Sequence, residues 1–367
     1  MRLDGRVNPL EAALVEHIGR AGPIGFDEYV DHALYAPELG FYAAGGGAGR
    51  RRDFLTSPEV GPLFGAVLAN ALDAWWVELG QPDPFVVVEA GAGPGTLART
   101  ILASPPACAV ALQLVLVEEA EVQWATHPGG TTSRRDLPAP GELGPGPVVV
   151  LANELLDNLP FGLVELADGG WCEVAVGASG EEGPVGHGRL VEVLVPLEAK
   201  RAAWCWGKAG REAALGTRLP VQAAAAGWLD QALDLAAGGR VVAIDYVSST
   251  REMARRPWTD WVRTYAGHGR GPHPLQQPGT ADITVEVAVD QLASVAAPQL
   301  DRDQASFLRA HGVDELVAEG AATWRDLGLG GGLAAIAGRS RVHEAEALLD
   351  PAGLGAFRVL EWFTAPA

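Results

Sequence analysis

Lysine is almost missing from this chain: of 27 cationic residues only Lys200 and Lys208 are lysine, and 46 acidic residues outnumber the cations. The formal charge of −19 leaves no basic face to neutralise a phosphate backbone. That excludes nucleic acid as a partner and favours a basic protein or a cationic small molecule. Cysteine is scarce as well. Cys108, Cys172 and Cys205 lie far apart with no CxxC pair, so neither a disulfide framework nor a metal site is indicated, and a reducing, cytoplasmic setting is expected. No apolar run reaches the roughly 18 residues of a membrane span. Arg2, Asp4, Arg6, Glu11 and Glu16 stand where a signal-peptide core would be, so no membrane association or targeting is expected. Glycine and proline are abundant, at 47 and 26 of 367 residues, but 48% hydrophobic residues exclude a disordered chain.

The apolar spacing predicts helices over 9–20 and 26–36, followed by a Gly-rich loop at 40–52. Thr56 and Glu59 have the spacing of a capping box before a helix carrying Leu63, Val67, Ala71, Leu72 and Trp75. From residue 85 the texture changes to buried-strand runs at 85–90, 112–117, 148–152 and 240–246, separated by helical or loop segments. That alternation is the mark of a parallel sheet covered on both faces, an α/β doubly wound core. Alternating pieces between 162 and 196 suggest an antiparallel hairpin insertion, with 177–189 a surface loop. Residues 198–237 read as helical, 251–281 as irregular, 283–289 as a strand, 303–319 as a helix and 356–363 as a closing edge strand. The division expected is an N-terminal helical segment or lid at 1–80, a core at 81–160 and 238–367, and a hairpin and helical insertion at 161–237.

The most specific local signal is Glu89-Ala90-Gly91-Ala92-Gly93-Pro94-Gly95, at the end of a strand and before a helix. Missing Cβ atoms at Gly91, Gly93 and Gly95 let the backbone approach a ligand. Pro94 has no N–H to offer a pyrophosphate, which disfavours an NAD(P)-dependent oxidoreductase. The pattern resembles the acidic-x-G-x-G-x-G signature of class I S-adenosylmethionine (SAM) methyltransferases. Glu118 ends the next strand 23 residues after Gly95, the place of a ribose-binding carboxylate. The alternative is a tight βα turn, with Glu118 or Glu119 capping a helix.

Asn153 and Glu154 follow another buried strand, at the sheet edge where open α/β folds bind ligands. A carboxylate there can orient a cationic nucleophile. For a guanidinium, Glu154 would bind bidentately and concentrate its charge on one nitrogen, leaving the other more nucleophilic. Turn capping by Asn153 and helix capping by Asp157 are the structural alternatives. Asp245 and Tyr246, at the end of the strand near 240, are further candidates for the reacting centre, with burial of the tyrosine as the alternative.

Several colinear motifs resemble the MidA-like methyltransferases: Ile24 to Tyr29 with Gly40-Phe41-Tyr42, Asp53 to Glu59 with Phe64-Gly65, Glu89 to Leu97, Ala152 to Pro160, Ile244-Asp245-Tyr246 and Pro278 to Thr284. The resemblance implies a class I SAM-methyltransferase fold in which Thr56, Ser57, Pro58 and Glu59 border the SAM pocket. It also implies in-line methyl transfer to a protein, with arginine in a basic segment as the acceptor. Arg52, Val247 and Ala120 depart from the family pattern, which leaves a catalytically degenerate, SAM-binding assembly factor as the alternative. Asp282 and Thr284 order a lid-side loop or begin a strand. Arg50, Arg51 and Arg52 contact a carboxylate or form a solvated tip, and His268 is read as structural.

Overall fold

The computed structural model describes residues 8–46, 56–180, 188–267, 269–327 and 332–365. The sequence expectations for Arg50 to Leu55, His268 and the middle of the 177–189 loop lie outside the described residues. The chain builds a central sheet from β1 (Phe85–Ala90), β2 (Leu112–Val117), β3 (Thr132–Arg134), β4 (Val148–Asn153), β5 (Arg240–Asp245), β6 (Leu300–Asp303) and β7 (Arg358–Phe363). Their order is β3-β2-β1-β4-β5-β7-β6. β1 to β5 run parallel, and β7 is antiparallel to both of its neighbours.

Strict alternation along these strands makes two apolar faces. Val87, Leu114, Leu116, Val149, Leu151, Val242, Ile244 and Val359 face one helical layer. It contains α1 (Pro62–Glu78), α2 (Thr96–Ala103) and a hairpin of α4 (Val313–Leu327) and α5 (Gly332–Leu348). Val86, Val88, Val115, Val150, Val241 and Leu360 face the other layer, where α3 (Ala223–Leu235) contributes Ala225, Leu229 and Ala232.

The segment at 356–363 is not the closing edge. β7 lies inside the sheet, where Val359, Leu360 and Trp362 are buried, and the polar β6 takes the edge that its Asp and Arg residues suit. Other differences are local. A strand at Arg218–Val221 interrupts the predicted helix over 198–237, and β3 was not legible as a strand. The helix predicted over 303–319 breaks at Gly312, whose φ of 88° is left-handed. Thr56 makes no side-chain cap bond, and the chain turns at Gly61 before Pro62 opens α1 at its first position.

A second, five-stranded antiparallel sheet is built from Ile24–Gly25, Gly162–Ala167, Gly170–Ala178, Leu190–Pro196 and Arg218–Val221. The helices Pro9–Ala21 and Phe26–Tyr35 bury Leu14, Ile18, Phe26, Tyr29 and Val30 against Phe161, Leu163, Val174 and Val176. Residues 1–80 are thus shared between two cores, because α1 belongs with the central sheet. Val247 sits in a short strand paired with Val287, so the position where the family pattern has glycine makes no left-handed demand here.

Glu361 on β7 is 1% exposed and accepts from Arg240 at 3.2 Å and Arg302 at 2.6 Å, tying β5, β6 and β7 together. Glu361→Ala leaves Arg302 without its buried partner and Arg240 with Glu78 alone. The expected loss is about 3–5 kcal/mol, read as a lower urea midpoint, with Glu361→Gln falling between it and the parent protein.

Candidate active site

A cleft of about 390 Å³ opens at the carboxyl edge of β1, β2 and β4. Its walls bring together Glu89, Gly91, Gly93, Glu118, Asn153, Glu154, Pro58 and Glu59, segments separated by up to about a quarter of the chain. Tyr35, Tyr42, Gln123 and Trp228 also line it.

Each glycine of the turn is left-handed, with φ of 70°, 52° and 73° at Gly91, Gly93 and Gly95. A Cβ at Gly91 would lie 3.0 Å from Leu155 Cδ1, so a side chain there would press on the β4 turn as well as strain the left-handed backbone. Gly93 donates to Glu118 Oε2 at 2.8 Å, and its carbonyl meets His127 Nε2 at 2.9 Å. Gly95 starts α2 against His127 and Pro128 and does not line the cleft; Thr96 and Leu97 do. Glu118 Oε1 accepts from Ala120 N–H at 2.8 Å, so this carboxylate caps its own turn while also facing the cleft. Burial pushes its pKa upward, against the pull of those two amides.

Glu154 has φ of 52°, in the sparsely populated left-handed region for a residue with a side chain. Its N–H donates to Ile244 O at 2.8 Å. Its Oε1 accepts from Ser57 N–H at 2.9 Å and from Asn153 Nδ2 at 3.1 Å, while Oε2 has no partner among the described residues. Burial pushes this carboxyl up to about 8, and the charge of Asp157 adds to the effect. Glu89, enclosed at the end of β1, is also raised to about 8 by burial, with Glu118 contributing.

Besides Gly95, two further expected site residues lie outside the cleft lining. Asp245 does not line the cleft: Oδ2 accepts from the amides of Leu156 and Asp157 at 3.0 and 3.2 Å, and Oδ1 from that of Tyr246 at 2.9 Å. It therefore shapes the turn after β4. Ser57 does not line the cleft through its side chain either, since Oγ donates to Gln304 at 3.1 Å; its contribution is the amide on Glu154. Glu59 Oε1 accepts from Thr96 Oγ1 at 2.6 Å, linking the 56–59 turn to the start of α2. Sequence reasoning did not single out Tyr35, Gln123, His127 or Trp228 as site residues, and no local pattern marks them. Tyr42 was part of a quoted motif without an assigned role.

Gln123 Oε1 and Asn153 Oδ1 are buried acceptors with no hydrogen-bond partner, and both residues line the cleft. Together with Glu154 Oε2 they call for a ligand rich in donors and positive charge. SAM fits that demand through its ammonium, sulfonium, adenine amino and ribose hydroxyl groups.

A Burkholderia thailandensis protein crystallised with S-adenosyl-homocysteine matches the structure with a TM-score of 0.78 at 27% identity, covering 96% of this chain and 91% of that one. Fold and site therefore define a class I SAM-dependent methyltransferase. Residues 67–306 match the profile of a family described as "Putative S-adenosyl-L-methionine-dependent methyltransferase", and the chain belongs to that family. The mouse mitochondrial protein arginine methyltransferase NDUFAF7 is 28% identical over 349 residues, covering 84% of this chain and 75% of its own. Its Drosophila melanogaster homologue is 33% identical over 194 residues, covering 44% of this chain and 43% of its own. These relatives are named as mitochondrial, which overturns the cytoplasmic expectation. Cysteine usage reports redox conditions, which more than one compartment shares. Among the described residues, no helix is long and apolar enough to cross a membrane, and no group of three or more His, Cys, Asp or Glu could hold a metal ion.

Burial also raises Asp157 to about 6 and Asp282 to about 7. With Glu89 and Glu154, the folded state holds protons that the unfolded chain has already released, so stability falls as pH rises toward the folded-state values. The melting temperature of the ligand-free protein should therefore drop between about pH 6 and about pH 8.5. Glu154→Gln should flatten part of that slope in differential scanning fluorimetry, and a level parent profile would show that these carboxyls are ionised throughout.

Proposed function

We propose that this chain methylates a cationic side chain of a protein, with arginine in a basic segment as the acceptor. The observation that carries the reading is Glu154: one oxygen is fixed by Ser57 and Asn153, and the other is left to the cleft. The arginine methyltransferase activity named for the mouse relative supports the same acceptor class.

SAM supplies an electrophilic methyl group when bound. Glu118 is placed for the ribose hydroxyls, while Glu89, Gly91, Gly93, Pro58 and Glu59 shape the rest of the cofactor wall. Gly95 and Ser57 act one step back, through the start of α2 and the hold on Glu154. Glu154 Oε2 takes N–H bonds from the guanidinium and draws its charge toward the bound nitrogens, leaving the remaining nitrogen to attack. The methyl group would pass to that nitrogen with S-adenosyl-homocysteine as the leaving group, and the displaced proton would go to solvent. Asn153 orients that carboxylate and offers Oδ1 as a further acceptor. Asp245 positions the turn that carries them.

Glu154 acts as a carboxylate, so kcat/KM for the acceptor should rise with pH to a midpoint at or below about 8, because a neighbouring cation lowers the pKa from its ligand-free value. Glu154→Gln should remove that limb. It should also lower kcat/KM about 10–100-fold, the worth of a charge-assisted hydrogen bond of about 1.5–3 kcal/mol, with a smaller loss of calorimetric affinity for SAM. Methylarginine formation on arginine-bearing peptides, followed by mass spectrometry, is the assay. Parent-like turnover by the variant would remove Glu154 from the mechanism, and a folded parent protein that does not bind SAM would overturn the reading.

A further inference from the structure

Tyr35 and Tyr42 line the cleft and lie nearly parallel to each other, with ring centroids 5.5 Å apart and planes 18° apart. Phe41 packs edge-on to Tyr42 at 5.2 Å, which fixes the pair from outside. Both hydroxyls are spoken for by the protein: Tyr35 donates to the Asn158 carbonyl at 3.2 Å, and Tyr42 to Asp282 Oδ1 at 3.1 Å. Burial keeps both phenols protonated by pushing their pKa values well up. The cleft therefore meets aromatic carbon at this wall, with the polar ends pinned behind it.

What lies behind the wall is negative. Asp282 is fully buried and also accepts from Asn158 Nδ2 at 2.9 Å, yet its Oδ2 has no partner. Asp157, 4% exposed, likewise leaves Oδ1 unpartnered while Oδ2 accepts from Tyr246 at 2.7 Å. A phenol donating to a carboxylate has a more electron-rich ring, and an aromatic face attracts a cation more strongly when water is excluded.

Taking the methyltransferase reading as its basis, we propose that the Tyr35–Tyr42 pair, backed by Asp282, is a cation-binding aromatic wall that recognises positive charge in the reacting complex. Two cations meet at the reacting centre, the sulfonium of SAM and the guanidinium of the acceptor, whereas the ammonium of SAM is balanced by its own carboxylate. A cation against the rings also favours the carboxylate form of Asp282, whose carboxyl burial otherwise lifts to about 7. Charge at the wall and charge behind it thus reinforce each other.

Isothermal titration of the full chain with SAM, S-adenosyl-homocysteine and an arginine-bearing peptide separates the sources, because S-adenosyl-homocysteine keeps the ammonium and overall shape of SAM but lacks its methyl group and sulfonium charge. Tyr42→Leu and Tyr35→Leu should each weaken the cationic ligand about 5- to 30-fold, whereas Tyr42→Phe and Tyr35→Phe, which keep the rings, should stay within about threefold of the parent. A loss for SAM but not for S-adenosyl-homocysteine assigns the wall to the sulfonium. A loss confined to the peptide assigns it to the guanidinium. Asp282→Asn preserves shape and should reduce the same discrimination, which keeps the test open if a leucine variant fails to fold. Equal losses for SAM and S-adenosyl-homocysteine, or no loss for any ligand, overturn the wall while leaving SAM binding by the parent protein intact. A parent protein that binds no SAM overturns both readings.

Discussion

One hydrogen bond holds the site together: the main-chain amide of Ser57 on Glu154 Oε1, at 2.9 Å between residues 97 positions apart in sequence. It joins the turn that borders the cleft to the end of β4 and, with Asn153 Nδ2, fixes which oxygen of Glu154 faces inward. The same device recurs around the carboxyl edge. Glu118 takes the amide of Gly93, Asp245 takes those of Leu156 and Asp157, and Glu344 takes that of Leu63 at the start of α1. Each buried carboxylate accepts from a main-chain N–H near the start of a turn or helix, where the N–H groups lack intrahelical partners. The edge loops are therefore braced by acids, and two of them, Glu118 and Glu154, also line the cleft.

This bracing explains why the sequence disclosed the scaffold more readily than the site. Runs such as Val86-Val87-Val88 and Val148-Val149-Val150 announce strands because burial on both faces requires an apolar residue at every position. The glycine turn is legible for a related reason, since three left-handed positions in one short loop leave few other residue choices. β7 was misplaced because Glu361 reads as an outward-facing acid, while in the fold it is buried between Arg240 and Arg302. The side chains that close the cleft have no local signature. Tyr35 and Tyr42 acquire their place only through Asn158 and Asp282, which are remote in sequence. The left-handed backbone at Glu154 is equally invisible, because nothing in Asn-Glu-Leu-Leu predicts it.

Asp245 shows how a correct position in the fold can carry a wrong role. The end of β5 at the ligand-binding edge is where a reacting carboxylate would be sought. Its two oxygens are nevertheless committed to three amides, and its burial raises its pKa well above the carboxylate range, with Asp157 and Glu154 adding to the shift. A group so engaged would leave those N–H groups unsatisfied if it turned toward a substrate. Its influence on chemistry runs through the loop that presents Glu154.

The scarcity of lysine and the excess of acid acquire a spatial meaning in this arrangement. Many arginines are consumed in pairs away from the cleft, with Arg218 on Glu165 and Glu192, and Arg256 and Arg263 on Glu286. Among the described cleft-lining residues the only Arg or Lys is Arg135, and it already faces Glu119 and Glu121 at 3.8 and 3.9 Å. Among the described residues, Glu89, Glu118 and Glu154 thus form no salt bridge with a basic side chain. On the proposed reading the reaction brings two cations into one enclosed space, where their repulsion would be far stronger than in water. Carboxyls kept partly neutral by burial can ionise as those cations arrive, so the protein avoids uncompensated buried charge when empty and supplies the counter-charge when filled.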